Sequence, residues 1–469
     1  MTTKDEKYVE QTTTDKSLKN TGRIRGEILE PCDPAYDQAR KVWNAMVDRR
    51  PAVIVRCRGT ADVIQAVNHA RDNGLLLAVR GGGHSFAGKS VCDAGLVIDL
   101  SPMRGVWVSP DTRTARVQGG ATWADLDHET QAFGLATTGG LISHTGVGGL
   151  ARGGGIGWLA RKHGLSCDNL LSSDVVTADG ELVHADEDEA ADLYWGLRGG
   201  GGNFGVVTSF EFRLHPVGPE VLSGFIIHPF EAAAAGLRFY REFTADLPDE
   251  VACYAMFGRI PDGEPFPAEQ RGRTGFIFAA SYAGAVAAGE QALAPLRAFG
   301  KPLLDALQPM PYSLLQQAFD EPQKPGNRWY GKSGFWNELS DDAIDKLVRG
   351  VDPLSGPLTM VFFECMGGAV GRVPVDATAF PHRAAPFNFG ITAGWTDAAE
   401  DERHMAWTRQ LHASLSSYDQ GVYVNYADED ESGRTGAAFG SNYERLVAVK
   451  NRWDPDNLFR MNMNVAPTG

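Results

Sequence analysis

The residues with the most chemical potential sit among glycines. In Arg80-Gly81-Gly82-Gly83-His84-Ser85 a histidine follows three glycines directly. A strand running into glycines exposes backbone N–H groups that can cradle a pyrophosphate. The same text also suits a tight structural turn. His84 adds a neutral imidazole, a nitrogen nucleophile at ordinary pH. A second cluster runs from Gly139-Gly140-Leu141-Ile142-Ser143-His144-Thr145-Gly146-Val147-Gly148-Gly149 on through Gly153-Gly154-Gly155-Ile156-Gly157. On propensity it is a poor helix and a poor strand. It suits backbone pressed against a flat or polyanionic ligand; a hinge is the alternative. The third cluster, Arg198 to Gly205, holds a G-x-G-x-x-G at Gly200, Gly202 and Gly205. A nicotinamide site needs a helix next, but Val206 to Phe212 is strand-like, so that reading is rejected.

Outside the glycines, Glu364 closes the apolar run Leu358 to Phe363. A carboxylate beside a buried strand has a raised pKa and can act as a base; alternatively it ends the strand in solvent. Trp329, Tyr330, Phe335 and Trp336 either line a pocket or are plain core. Tyr423 and Tyr426 lie three apart in what reads as one strand, which would place them on opposite faces.

The elements that must hold these groups change character along the chain. Residues 1–35 read as a loose lead-in. From Pro51 to about Pro216, strands alternate with helices. Ala52 to Arg56, Leu76 to Val79, Leu96 to Leu100 and Thr114 to Gln118 are strands. Thr60 to Asn73 is a helix with Thr60 as N-cap and Gly74 as its stop, and Trp123 to Phe133 is a helix closed by Gly134. Asp174 to Thr177 and Glu181 to His184 flank an Ala178-Asp179-Gly180 turn. After Pro216 the strands Gly224 to Pro229, Val251 to Ile260, Gly275 to Ala283, Leu358 to Glu364 and Pro386 to Trp395 are interleaved with helices. Those helices are Glu231 to Thr244, Val286 to Phe299 and Glu400 to Leu415. The pattern is that of an α+β domain with an antiparallel sheet. From Gly421 the text reverts to a strand, a helix (Tyr443 to Asn451) and an Asp454-Pro455-Asp456-Asn457 turn. The implied boundaries are one domain from 36–216 and 421–469, with a second, 217–420, inserted in it.

Bulk properties narrow the classes. The 469 residues are 43% hydrophobic and carry a net charge of −15, against a phosphate-tracking nucleic-acid binder. The six cysteines form no C-x-x-C pair, so no metal site is expected. No apolar run reaches the roughly 20 residues of a membrane span. The polar N-terminus has no signal-like apolar core, so the expected location is cytoplasmic. These properties point to neither a nucleic-acid nor a membrane partner, and a monomer or homodimer is expected.

The three glycine clusters in this order resemble the berberine-bridge-enzyme-like branch of the vanillyl-alcohol-oxidase flavoproteins. Further matching text is Lys162 to Gly180, Arg198 to Pro216, Tyr423 to Asp430 and Asn442 to Asn464. The resemblance implies an FAD-binding domain of the PCMH type, built from both chain ends, with a substrate domain laid over the flavin. It implies that His84 bonds covalently to the flavin 8α-methyl group. It places Arg80, Gly81, Gly82, Gly83, Ser85, Gly139, Gly140, Thr145, Gly146, Gly148, Gly149, Gly154, Gly157, Asn203, Val207, Asn462 and Asn464 around the cofactor. Relatives often add a bond from a cysteine, whose position here is Ile142, so a single tether is expected. Cys167 reads as packing. Thr145 sits where oxygen access is influenced. Tyr426 matches a tyrosine that serves as base; a phenol of pKa about 10 needs help from a neighbour to do so near neutrality. Asn388 falls where some relatives carry an acid and can orient a substrate, and Trp336 is placed in the substrate pocket. The implied activity is oxidation of an alcohol or amine carbon of a sugar, alkaloid or secondary metabolite. Hydride passes to flavin N5, and dioxygen returns as hydrogen peroxide. A dehydrogenase using another acceptor, or a catalytically silent flavin carrier, are the alternatives.

Overall fold

A computed structural model describes residues 18–468; the first half of the expected lead-in lies outside the described residues. Three large sheets and a two-stranded pairing of Leu135–Ala136 with His215–Pro216 organise the chain. In the first, Val53–Arg56 and Leu77–Arg80 both pair in parallel with Leu96–Asp99, and Glu27–Leu29 adds an antiparallel edge. The helix Thr60–Asp72 makes the crossover that parallel strands require. Its N-cap is Gly59 rather than Thr60, and the Asp62 carboxylate serves the end instead by accepting the N–H of Arg25, Gly26 and Arg58. Glu27–Leu29 corrects the expected loose lead-in: it is too short to show a period in the sequence, yet it covers a sheet edge.

The second sheet is antiparallel, in the order Val106–Ser109, Thr114–Gln118, Val206–Arg213, Leu170–Val176, Leu182–Ala185. The helix Trp123–Gln131 starts where Thr122 and Asp125 each accept the other's backbone N–H. Within the second glycine cluster one short helix does form, Val147–Arg152, contrary to expectation. Two-turn helices need little propensity when both ends are held by tertiary contacts.

The third sheet is the largest. Its main path runs Leu304–Asp305, Glu220–Pro229, Thr274–Tyr282, Val251–Arg259, Met360–Cys365, Phe387–Trp395, Arg328–Trp336. Period-2 alternation divides it into two faces. Cys253, Ala255, Phe257, Val361, Phe363, Phe389 and Trp336 pack with Leu237, Tyr240, Leu293, Leu296, Ile344, Leu347 and Leu411, contributed by four helices. Tyr254, Met256 and Phe362 point the other way and pack with Trp158, Leu159 and Phe319. The edge strand Arg328–Trp336 has no apolar alternation, because Gly331 and Gly334 stand where Phe86 and Asp419 approach. The stretch 421–426, expected as a strand, is a turn in which Tyr426 N–H donates to Tyr423 O at 3.0 Å.

A buried cation joins the C-terminal segment to the third glycine cluster. Lys450 Nζ donates to Asp454 (2.6 Å), to Asn203 O (2.8 Å) and to Phe459 O (3.1 Å). Both charged side chains are fully buried. Removing one partner of such a pair strands the other charge, at a cost of about 3–5 kcal/mol. Lys450→Met should therefore lower the unfolding free energy by about that much in guanidinium titrations; a loss below about 1 kcal/mol would show that the ammonium does not hold the C-terminal segment.

Candidate active site

The three glycine clusters meet at one cleft, floored by the first two sheets and roofed by the inner face of the third. Its wall includes Gly81, Gly82, Gly83, His84, Ser85, Gly140, Thr145, Gly146, Gly148, Gly149, Val207, Tyr426 and Asn462. Gly82 and Gly146 touch backbone to backbone: a Cβ on Gly82 would stand 2.3 Å from Gly146 N, and one on Gly146 2.4 Å from Gly82 N. The glycines therefore bring two loops from different sheets into contact and leave their N–H groups free of side-chain cover.

Several residues assigned to the cofactor do other work. Arg80 pairs with Asp99 in parallel register and reaches the carbonyls of Ala39 and Lys41. It anchors the start of the glycine loop and does not line the cleft. Gly139, Gly154 and Gly157 also lie off it; their missing side chains make room for Trp123, Phe380 and the Gly139 carbonyl respectively. Asn203, fully buried, donates to Gly200 O and Met463 O and accepts Val465 N–H, so it staples the C-terminal segment to the third cluster. Asn464 sits beside that staple, outside the lining. Trp336 belongs to the helix-facing core, with its ring against Phe363, Phe389 and Tyr418. A side-chain period of two from Tyr254 and Glu364 across the sheet would have placed it there. Trp329 stacks on Trp43, and Phe335 on His382. Tyr330 donates to Asp430.

Glu364 is completely buried and stands behind Tyr426 instead of at strand-end solvent. Register places Tyr254, Glu364 and Asn388 in one row across three strands. Tyr426 Oη donates to Glu364 Oε1 at 3.1 Å, and Asn388 Nδ2 donates to Oε2. Burial pushes the Glu364 carboxyl up to about 7, against the pull of those two donors. Burial, and then the Glu364 charge, hold the Tyr426 phenol well above its ordinary value. Asn388 touches the carboxylate and is not on the cleft wall. Tyr423, expected on the opposite face from Tyr426, has its ring 4.8 Å from it because the segment turns. Its hydroxyl accepts the N–H groups of Gly155 and Ile156.

Two further residues, His144 and Arg152, carry no distinct signal in the sequence pattern. His144 Nδ1 lies 2.8 Å from His84 Nε2. Arg152 lines the cleft between Gly149 and Gly202. Its Nε donates to Gly148 O, and among the described residues no carboxylate pairs with it. Burial brings its guanidinium down to about 10. In the sequence it is a lone cation inside the glycine run 148–153. The residues present fit FAD. Bare backbone N–H groups and Arg152 suit a pyrophosphate, and the buried, unpartnered Asn462 Oδ1 suits a ring N–H. No cysteine is on the wall. Ile142 is, whereas Cys167 is buried elsewhere among Leu165, Phe380 and Tyr423.

A cleft of glycine-rich backbone between two such lobes, roofed by an inserted antiparallel sheet, defines an FAD-binding oxidoreductase. Residues 51–186 match the model of the FAD binding domain, and residues 422–466 the model described as berberine and berberine like. An FAD-linked oxidoreductase of Dictyostelium discoideum is 32% identical over 95% of both chains. The solved 6-hydroxy-D-nicotine oxidase of Arthrobacter nicotinovorans superposes with a TM-score of 0.84 at 28% identity, covering 94% of this chain and 98% of that one. Glucooligosaccharide oxidase of Acremonium strictum, described with a 6-S-cysteinyl, 8α-N1-histidyl FAD, gives 0.83 at 25% identity over 95% and 98%. The chain belongs to the berberine-bridge-enzyme-like FAD-linked oxidoreductases and is an enzyme of that class. Among the described residues no helix is long and apolar enough to cross a membrane.

Arg152→Ala should leave the fold intact and yield protein with less flavin per chain. A charge-assisted contact of about 1.5–3 kcal/mol corresponds to at least roughly tenfold weaker uptake. Flavin absorbance per protein checks this, with Arg152→Lys expected between the two; unchanged content would remove Arg152 from the cofactor site.

Proposed function

We propose that the protein is an oxidase acting on an alcohol or amine carbon of a small, largely apolar molecule, with FAD tethered through His84 alone. The observation that carries the reading is Tyr426 on the cleft wall, backed by the buried Glu364 carboxylate. Bound FAD supplies the two-electron acceptor for the hydride, and its re-oxidation by dioxygen yields hydrogen peroxide. The chain's own groups handle the proton. Tyr426 presents its hydroxyl to the cleft; as it takes the substrate's O–H or N–H proton, its own passes to Glu364 Oε1. Glu364, at about 7, is the group poised to hold that proton near neutrality. Asn388 fixes the carboxylate's orientation through Oε2. Ile142 on the wall supports a single tether, because no sulfur faces the ring from there. Thr145, no larger than valine, leaves room for dioxygen.

Part of the cleft wall is built from Ile142, Met256, Phe319, Met360 and Phe362, with Tyr254, Gln323 and Thr392 as polar points among them. An oligosaccharide would bury several hydroxyls here without partners, at about 1–3 kcal/mol each. A compact aromatic or alicyclic alcohol or amine meets no such penalty. The nicotine oxidase among the relatives is named for a substrate of that kind.

Anaerobic mixing followed by air tests the reading. Apolar alcohols or amines should bleach the flavin and sugars should not, and air should restore the colour quickly with hydrogen peroxide formed. Slow return would indicate a dehydrogenase, and no bleaching across both classes a silent flavin carrier.

The base pair makes a separate prediction. The proton acceptor must be ionised, so flavin reduction in the wild type should quicken as pH rises through about 7 and level off above. Tyr426→Phe and Glu364→Gln should each slow reduction on the order of 10²–10⁴-fold, and Glu364→Gln should lose the rise near 7. A wild-type profile flat across neutrality would dismiss the pair.

A further inference from the structure

His84 has two ring nitrogens, and the structure treats them differently. Nε2 is engaged by His144 Nδ1 at 2.8 Å. The plane of the ring is fixed by Trp43, stacked on it at 4.3 Å between centroids and 19° between planes. Trp43 is itself held by its indole N–H donating to Gln323 O and by its stack on Trp329. Burial keeps both imidazoles neutral near pH 7, and His144 lowers His84 further. Two neutral rings at this distance share one N–H: one donates, the other accepts.

His144 decides which. Its Nε2 is buried and meets no partner at hydrogen-bonding geometry. Against that burial, the Asp320 carboxylate and backbone carbonyl favour a proton on the His144 ring, and Nδ1 is the nitrogen already turned to His84. Asp320 is fixed by accepting Ser143 N–H (2.8 Å) and Ser143 Oγ–H (2.6 Å). A proton on the outer nitrogen of His144 leaves Nδ1 as a lone pair. His84 Nε2 then carries the shared hydrogen, and His84 Nδ1 is left with its lone pair free.

We propose that His144 is the positioning residue for cofactor attachment: by accepting the Nε2–H of His84 it directs Nδ1 at the FAD 8α-methyl carbon and takes the Nε2 proton as the bond forms. The inference rests on the His84 tether proposed above. The balance is closed. A carbon–nitrogen bond forms between the methyl carbon and Nδ1; the carbon gives up one hydrogen and the imidazole one proton. The two electrons released pass through the flavin to dioxygen, which leaves as hydrogen peroxide. His144 returns its proton to solvent.

The test reads the linkage itself, on purified holoprotein. In the wild type, flavin should stay with acid-precipitated protein, and NMR of the flavin-bearing peptide should place the bond at Nδ1 of His84. His84→Ala should bind flavin only reversibly. His144→Leu should still take up FAD, with an acid-stable fraction at least tenfold lower. His144→Asn returns an acceptor near the place of Nδ1 and should restore attachment at Nδ1. Attachment through Nε2 in the wild type overturns the proposal even if the leucine variant fails to fold. So does full acid-stable loading of His144→Leu, which leaves the His84 tether standing. Flavin that washes off the wild type in acid removes both.

Discussion

The backbone contact between Gly82 and Gly146 is the constraint on which the rest of the site depends. Two loops, one leaving the parallel sheet and one leading into the helix Val147–Arg152, approach more closely than any side chain permits. That approach places the residues two beyond Gly82 and two before Gly146, His84 and His144, within hydrogen-bonding distance. It also clears the N–H groups along both loops. Arg80, on the far side of the first loop, spends its guanidinium on Asp99 and two backbone carbonyls. The loop is thereby fixed at its root while its tip stays bare.

The roof obeys a different rule. A strand repeats its side-chain direction every two residues, so one sheet serves two unrelated tasks. One face is closed by four helices into the largest core; the other carries Tyr254, Glu364 and Asn388 in a row toward the flavin lobes. A carboxylate in such a row is deprived of water and met only by Tyr426 and Asn388. Its raised affinity for protons comes from that isolation.

Much of this was legible in the residues. The glycine clusters, the break near Pro216 and the strands with clear alternation all carry local signals. Arg80 was not, because a guanidinium beside a glycine loop suits phosphate and carboxylate equally, and Asp99 lies on another strand. Trp336 looked like a pocket residue because an aromatic run does not reveal which face each ring takes. Its strand was invisible in a segment holding Gly331 and Gly334, where packing rather than propensity sets the residue. Tyr423 and Tyr426 were spaced for a strand, but the segment's polar groups are met by Ser333, and the chain turns. His144 carried no signal in a glycine-rich stretch. Its meaning exists only once two loops distant in sequence are pressed together.

Arg152 links the economy of the cofactor to the lifetime of the protein. A half-buried guanidinium that no carboxylate among the described residues pairs with is costly until an anion meets it. An anion arriving beside it removes that cost, and whatever binds only the folded chain shifts the folding equilibrium toward it. Chains made when flavin is scarce would then be the ones that open most often, and proteases would meet those first. Binding at Arg152 would thus couple cofactor loading to stability through mass action, with no dedicated sensor.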